Sequence, residues 1–158
     1  MLCSKNKNDN GFTIIELSLV IALFIVVLSF AVPYGLRFFR IERLDGTSRD
    51  ILTNLRLAQS QATSQRDDSD FGLYLEQGTI TLFKGSGYST REVAYDWVIE
   101  FSDQIIISGL SEVVFYCLTG LPSDTGEIRL ESIDRTNIIT INQHGAISLE
   151  MGVSLANP

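Results

Sequence analysis

A run of 21 residues, Phe12 to Val32, contains only four polar side chains: Thr13, Glu16, Ser18 and Ser29. The stretch from Leu17 to Leu28 is apolar on every side of a helix, so it has no polar face to turn toward water. At about 1.5 Å per residue, a helix of this length reaches roughly 30 Å, the thickness of the hydrocarbon core of a bilayer. The run therefore predicts a membrane-spanning segment. A short polar start bearing Lys5 and Lys7 favours a cytoplasmic N-terminus, whereas Arg37, Arg40 and Arg43 on the far side oppose it. A secretory signal peptide is the commoner meaning of a charged start before an apolar run. Against it stand the length of the run, the absence of a small-x-small site in Ala31-Val32-Pro33-Tyr34, and a carboxylate inside the run.

Charge is distributed unevenly. The chain of 158 residues carries −7 overall, yet residues 37–66 hold six arginines against three acids. Residues 67–158 hold four basic and fourteen acidic side chains, a net −10. That balance argues against nucleic acid as a partner. One histidine and two distant cysteines, Cys3 and Cys117, do not make a four-ligand zinc site. Length and apolar content fit one domain, or one domain with an appendage, and not disorder.

Glu16 is the most informative residue of the run. A carboxylate near the centre of a membrane helix costs on the order of 3 kcal/mol, and less near the interface. By position alone Glu16 either snorkels to the headgroups or has an assigned task. Its setting, Gly11-Phe12-Thr13-Ile14-Ile15-Glu16-Leu17, followed by the apolar helix and Pro33, resembles the N-terminus of the type IV pilin-like superfamily, which includes pilins, minor pilins and the pseudopilins of type II secretion. The resemblance implies removal of a leader, residues 1–11, by a prepilin peptidase cutting after Gly11. It further implies N-methylation of Phe12 and a role in assembly for Glu16. The pairing has a physical logic: the new amine at Phe12 of one subunit and the Glu16 carboxylate of a neighbour would each be stranded alone in an apolar bundle. Glycine before the cut leaves the backbone unhindered. Residues 17–32 lack the mid-helix glycine of many filament-forming pilins, so Pro33 is the expected kink, because it removes a helix hydrogen bond.

Beyond Pro33 the pattern turns amphipathic. Leu44, Ile51, Leu55, Ala58 and Ala62 fall on one helix face, and the arginines at 37, 40, 43, 49, 56 and 66 fall among the other positions. A solvated face is the favoured reading of those arginines, with lipid headgroups or acidic neighbours as the functional one. Asp45-Gly46 is expected to bend or interrupt the helix. The helix reads to Arg66, and Asp67-Asp68-Ser69-Asp70 follows as a polar turn rather than a calcium loop, lacking regular ligand spacing and a distal glutamate.

After this the period changes to two. Phe71–Leu75 and Thr79–Phe83 flank Glu76-Gln77-Gly78 as a hairpin. Further strands are expected at Val98–Phe101, Gln104–Ser108, Val113–Leu118, Glu127–Glu131, Asn137–Asn142 and Ala146–Leu149, and residues 85–97 as a variable loop. Cys117 alternates with Phe115 and reads as a buried thiol. The fold class is α+β: a long N-terminal helix, 12–66, with residues 12–32 in the membrane and 33–66 as a stalk, packed on a β-rich antiparallel head, 67–158. Helix end and closing hairpin are similar to those of the H-type pseudopilins and FimT-type minor pilins. Some of that subgroup are linked to DNA uptake through basic residues near the C-terminal end, but nothing after Arg135 is basic here.

No catalytic constellation emerges. His144 precedes Gly145 in a turn, and Lys84-Gly85-Ser86-Gly87 does not follow the pattern of a phosphate loop. The chain is expected not to be an enzyme and to use no cofactor or metal. The resemblance implies a structural subunit of a type IV pilus or type II secretion pseudopilus. It would sit in the inner membrane with its N-terminus cytoplasmic and its head outside, and then enter a filament. Implied partners are the prepilin peptidase, other pilin or pseudopilin subunits, the inner-membrane assembly platform with its ATPase, and the lipid bilayer. The alternatives are a minor priming or tip pilin, and a non-polymerising membrane-anchored β-domain that binds DNA or a secreted substrate.

Overall fold

The computed structural model describes residues 13–64, 68–133 and 135–153. Among the described residues one α-helix, α1 (Ile14–Thr63), is followed by eight strands: β1 (Phe71–Glu76), β2 (Thr79–Lys84), β3 (Trp97–Glu100), β4 (Ile106–Gly109), β5 (Glu112–Phe115), β6 (Gly126–Ser132), β7 (Arg135–Ile141) and β8 (Ile147–Val153), with two short 3-10 turns, Tyr88–Thr90 and Val93–Tyr95, between β2 and β3. The chain divides into two compact units, residues 1–38 and residues 39–158.

In the second unit the strands form two four-stranded antiparallel sheets, ordered β3-β2-β1-β5 and β4-β6-β7-β8. The first is nucleated by the hairpin β1–β2. Glu76 pairs with Thr79, and Gly78 supplies the positive φ (86°) that a two-residue turn demands. Gln77 at this turn straps the two sheets together. Its Nε2 donates to the carbonyl of Ile105 at 2.6 Å, and its Oε1 accepts from the amide of Ile107 at 3.4 Å.

Both sheets and the helix share one core. Leu44, Ile51, Leu55, Ala58 and Ala62, the face marked by the sequence period, are all fully buried. They pack with Leu73, Ile80 and Phe115 of one sheet and Ile128, Leu130, Ile139 and Ile141 of the other. Alternation in β6 is clean: Ile128 and Leu130 point in, Glu127 and Arg129 point out.

Four expectations are corrected. Helix α1 runs through Gly46 without interruption. One glycine costs about 1 kcal/mol in a helix interior, which the burial of Leu44 and Ile51 on either side outweighs. The strand expected at Val113–Leu118 ends at Phe115. The chain turns there, with Gly120 N–H donating to Tyr116 O at 2.9 Å and Leu118 at φ 70°. Cys117 therefore lies in a turn, half-buried, with its thiol 3.8 Å from Asp68 Oδ1, and is not a core thiol. The expected Gln104–Ser108 strand begins two residues later, at Ile106, because residues 102–105 form a turn closed by Ile105 N–H to Ser102 O. Asp67 and Arg66 lie outside the described residues.

Candidate assembly interface

The first turn of α1 is built by Thr13. Its Oγ1 accepts the amide N–H of Glu16 at 3.3 Å, and its carbonyl accepts from Leu17 at 3.1 Å. Thr13 is thus the N-cap and Glu16 the third helical residue, the spacing of a capping box. Glu16 lies at the positive end of the helix, where a carboxylate is favoured. The Thr-x-x-Glu spacing was legible in the sequence. Reading Glu16 only as an acid in an apolar run overlooked Thr13.

The other polar groups of the run are satisfied within the helix. Ser18 Oγ donates to Ile15 O at 2.8 Å and Ser29 Oγ to Ile25 O at 2.7 Å. Internal satisfaction of this kind is what a helix in hydrocarbon requires. Among the described residues, nothing hydrogen-bonds the Glu16 carboxylate.

Around these groups the apolar side chains stand exposed on every side: Ile14 at 89%, Phe24 at 62% and Phe30 at 67%. Apolar surface of this extent marks a contact with lipid or protein. Among the described residues no helix is long and apolar enough to cross a membrane. The expected span 12–32 is described in part only, since Phe12 and the side chain of Ala31 lie outside the described residues. So do Gly11 and the side chain of Pro33, and with them the expected cleavage, methylation and kink residues.

In the second unit a polar clasp ties the helix to the second sheet. Asn137, fully buried, donates from Nδ2 to Asp45 Oδ1 at 2.9 Å and to Ser48 Oγ at 3.0 Å. Its Oδ1 accepts the amide of Gly152 at 2.9 Å, where the β7–β8 register slips. The amide side chain replaces the ladder bond that the bulge leaves unmade. Arg135 closes the clasp on Asp45 at 3.4 Å. One turn from the helix end, Gln59 Nε2 donates to the carbonyls of Gly120 and Gly145 at 3.1 and 2.8 Å. The amide of Leu118 donates to Ala62 O at 3.1 Å, satisfying a carbonyl of the last turn. Arg40, Arg43, Arg49 and Arg56 are exposed, the solvated face. Asn137 and Gln59 carried no sequence signal, because a lone buried amide has no period and no motif.

Among the described residues there is no group of His, Cys, Asp or Glu able to hold a metal, and His144 is exposed. The arrangement offers contact surface rather than a pocket of converging titratable groups.

No family model matches the chain, and no curated protein matches it. The fold is nonetheless similar to that of a solved structure, the minor pseudopilin EpsH from the Type 2 Secretion System of Vibrio cholerae. The two share 12% identity with a TM-score of 0.55, over 69% of this chain and 97% of that one. The chain thus has a pilin-like α+β fold, with two antiparallel sheets packed in the second unit against helix residues 44–62.

Proposed function

We propose that the chain is a structural subunit of a type II secretion pseudopilus or a type IV pilus, assembled through its N-terminal helix and without catalytic activity. The observation that carries this reading is the helix of exposed apolar side chains with Glu16 in its first turn, its carboxylate without a hydrogen-bond partner among the described residues. The fold's similarity to that of a minor pseudopilin supports it.

In this reading a prepilin peptidase cuts after Gly11 and the new N-terminal Phe12 is methylated. Residues 12–32 hold the subunit in the inner membrane, head outside, until the assembly platform and its ATPase draw it into a filament. Moving an apolar helix from lipid to a helix bundle changes its burial little, so packing and polar pairing decide the outcome. The Phe12 amine of one subunit and Glu16 of its neighbour then neutralise each other and set axial register. Thr13 prepares the pair by closing the turn that aims Glu16 outward. A minor, priming or tip position is favoured over a bulk one by the fold's likeness to a minor pseudopilin.

The test has two arms. Mass spectrometry of the membrane-extracted protein is expected to find Phe12 as a methylated N-terminus; an intact Met1 or a cut near Tyr34 overturns the processing step. Glu16→Ala is expected to remove the subunit from sheared filaments while leaving its membrane level unchanged. Incorporation at the wild-type level overturns the pairing. Abundance in those filaments separates a minor subunit from a major one.

A further inference from the structure

Strand β3 is the outer edge of its sheet, and its sequence, Trp97-Val98-Ile99-Glu100, carries little to blunt that edge. Edges are ordinarily protected by charge, proline or a bulge. Here three of four residues are apolar, and Trp97 and Val98 are 65% and 55% exposed on opposite faces.

Trp97 pairs with Leu82 and Ile99 with Ile80, so both lie on the core-facing side of the sheet. Beside them opens a groove of about 310 Å³, walled by Trp97, Tyr95 and Leu82 on the sheet side and by Leu57 and Gln61 of α1 on the other. That volume suits a large apolar side chain.

The segment leading into β3 is already ordered. Arg91 donates from Nε to Asp96 Oδ2 at 2.8 Å and from a terminal nitrogen to Tyr88 O at 2.8 Å, and its guanidinium lies 3.7 Å over the Tyr88 ring. Tyr88 stacks in turn on Tyr74 at 3.8 Å. Donating the hydrogen bond to Asp96 raises the Arg91 pKa. A prepared edge of this kind avoids the ordering cost of binding.

Charge selects the occupant. Alternation from Ile99 puts exposed Glu100 on the outer side of β3, within a head whose net charge is −10. The four basic residues of the head are each engaged by an acid of the same chain: Lys84 by Glu92, Arg91 by Asp96, Arg129 by Glu127 and Arg135 by Asp45. The exposed arginines that a second copy would bring, at 40, 43, 49 and 56, stand on its helix, so none of its described strands offers an unpaired cation to this edge.

We propose that the edge of β3 and its adjoining groove bind an extended segment of a different polypeptide, in which large apolar and basic side chains alternate. Backbone hydrogen bonds extend the sheet by one strand. Apolar side chains of the segment turn inward beside Trp97 and Ile99, with one filling the groove. The basic ones turn outward toward Glu100. The inference does not depend on whether the chain polymerises.

Trp97 is the only tryptophan, so its emission reports this site alone. The full chain in detergent micelles is titrated with a synthetic heptapeptide alternating lysine and valine around a central phenylalanine. A saturable blue shift is expected. The same peptide with glutamate for lysine is expected to bind about ten-fold more weakly, and one with proline for valine is expected to leave emission unchanged, because it cannot pair as a strand. Glu100→Lys is expected to weaken the lysine peptide about five-fold or more. Leu57→Glu, on the exposed helix side, is expected to abolish the shift with the helical and sheet circular dichroism unchanged. The proposal is overturned by no saturable shift with the lysine peptide, by equal binding of the glutamate or proline peptide, or by a shift that follows protein concentration alone, which would make a second copy the occupant.

Discussion

Replacing Asn137 by alanine tests the central claim about how the sheets are locked to the helix. The side chain is fully buried and makes three hydrogen bonds, to Asp45, Ser48 and Gly152. A neutral hydrogen bond contributes about 1 kcal/mol net and one to a charged group about 1.5–3 kcal/mol. Ser48 loses little, since its hydroxyl still donates to Leu44 O at 2.7 Å. The amide of Gly152 and the half-buried Asp45 carboxylate lose a partner where water does not readily replace it. The expected loss is about 3 kcal/mol, a large share of the roughly 5–15 kcal/mol that holds a domain of this size together. Urea unfolding of the full chain in mild detergent, followed by the circular dichroism of the sheets, measures it. Asp45→Asn is the control. It keeps an acceptor for Asn137 and gives up only the pair with Arg135, whose side chain is 36% exposed, so it should cost less than about 1 kcal/mol. The double variant Asp45→Ala with Asn137→Ala should fall short of additivity by about 1–2 kcal/mol. A loss below about 1 kcal/mol for Asn137→Ala, or strict additivity in the cycle, would refute the clasp as a stabilising unit.

Gly46→Ala is expected to stabilise the protein by about 0.5–1 kcal/mol in the same assay. The position is exposed, helical, and has nothing within 4 Å of an added Cβ. Gly120→Ala is expected to destabilise by about 1–3 kcal/mol, because its φ is 62° and an added Cβ would meet Thr63 Cγ2. Thr63→Ser should recover part of that loss by removing the methyl group, while the backbone strain remains; recovery of none of it would exclude the methyl clash.

Several elements were readable from local pattern alone. The buried face of the helix appeared as a spacing of apolar residues, because a helix repeats every 3.6 residues and only one stripe can face a core. The β1–β2 hairpin was legible because a two-residue turn needs a positive φ that Gly78 supplies. The Thr13–Glu16 spacing stood in the sequence too, as a cap rather than only as a charge in an apolar run. Where strands end was less readable. Phe115, Tyr116 and Cys117 suit a strand by propensity, and what turns the chain is a docking contact of Leu118 on the last helical turn.

The sequence by itself determined the apolar run, the acid within it and the helix stripe, because each rests on side-chain chemistry and on a period that neighbours along the chain carry. Only the tertiary structure decided that Asn137 bridges a bulge to Asp45, that Gln59 gathers two glycine turns, and that β3 is an edge beside a groove. Those features join residues as many as 92 positions apart, and pairing at that range leaves no local trace. A buried amide or an edge strand is defined by what packs, or does not pack, against it.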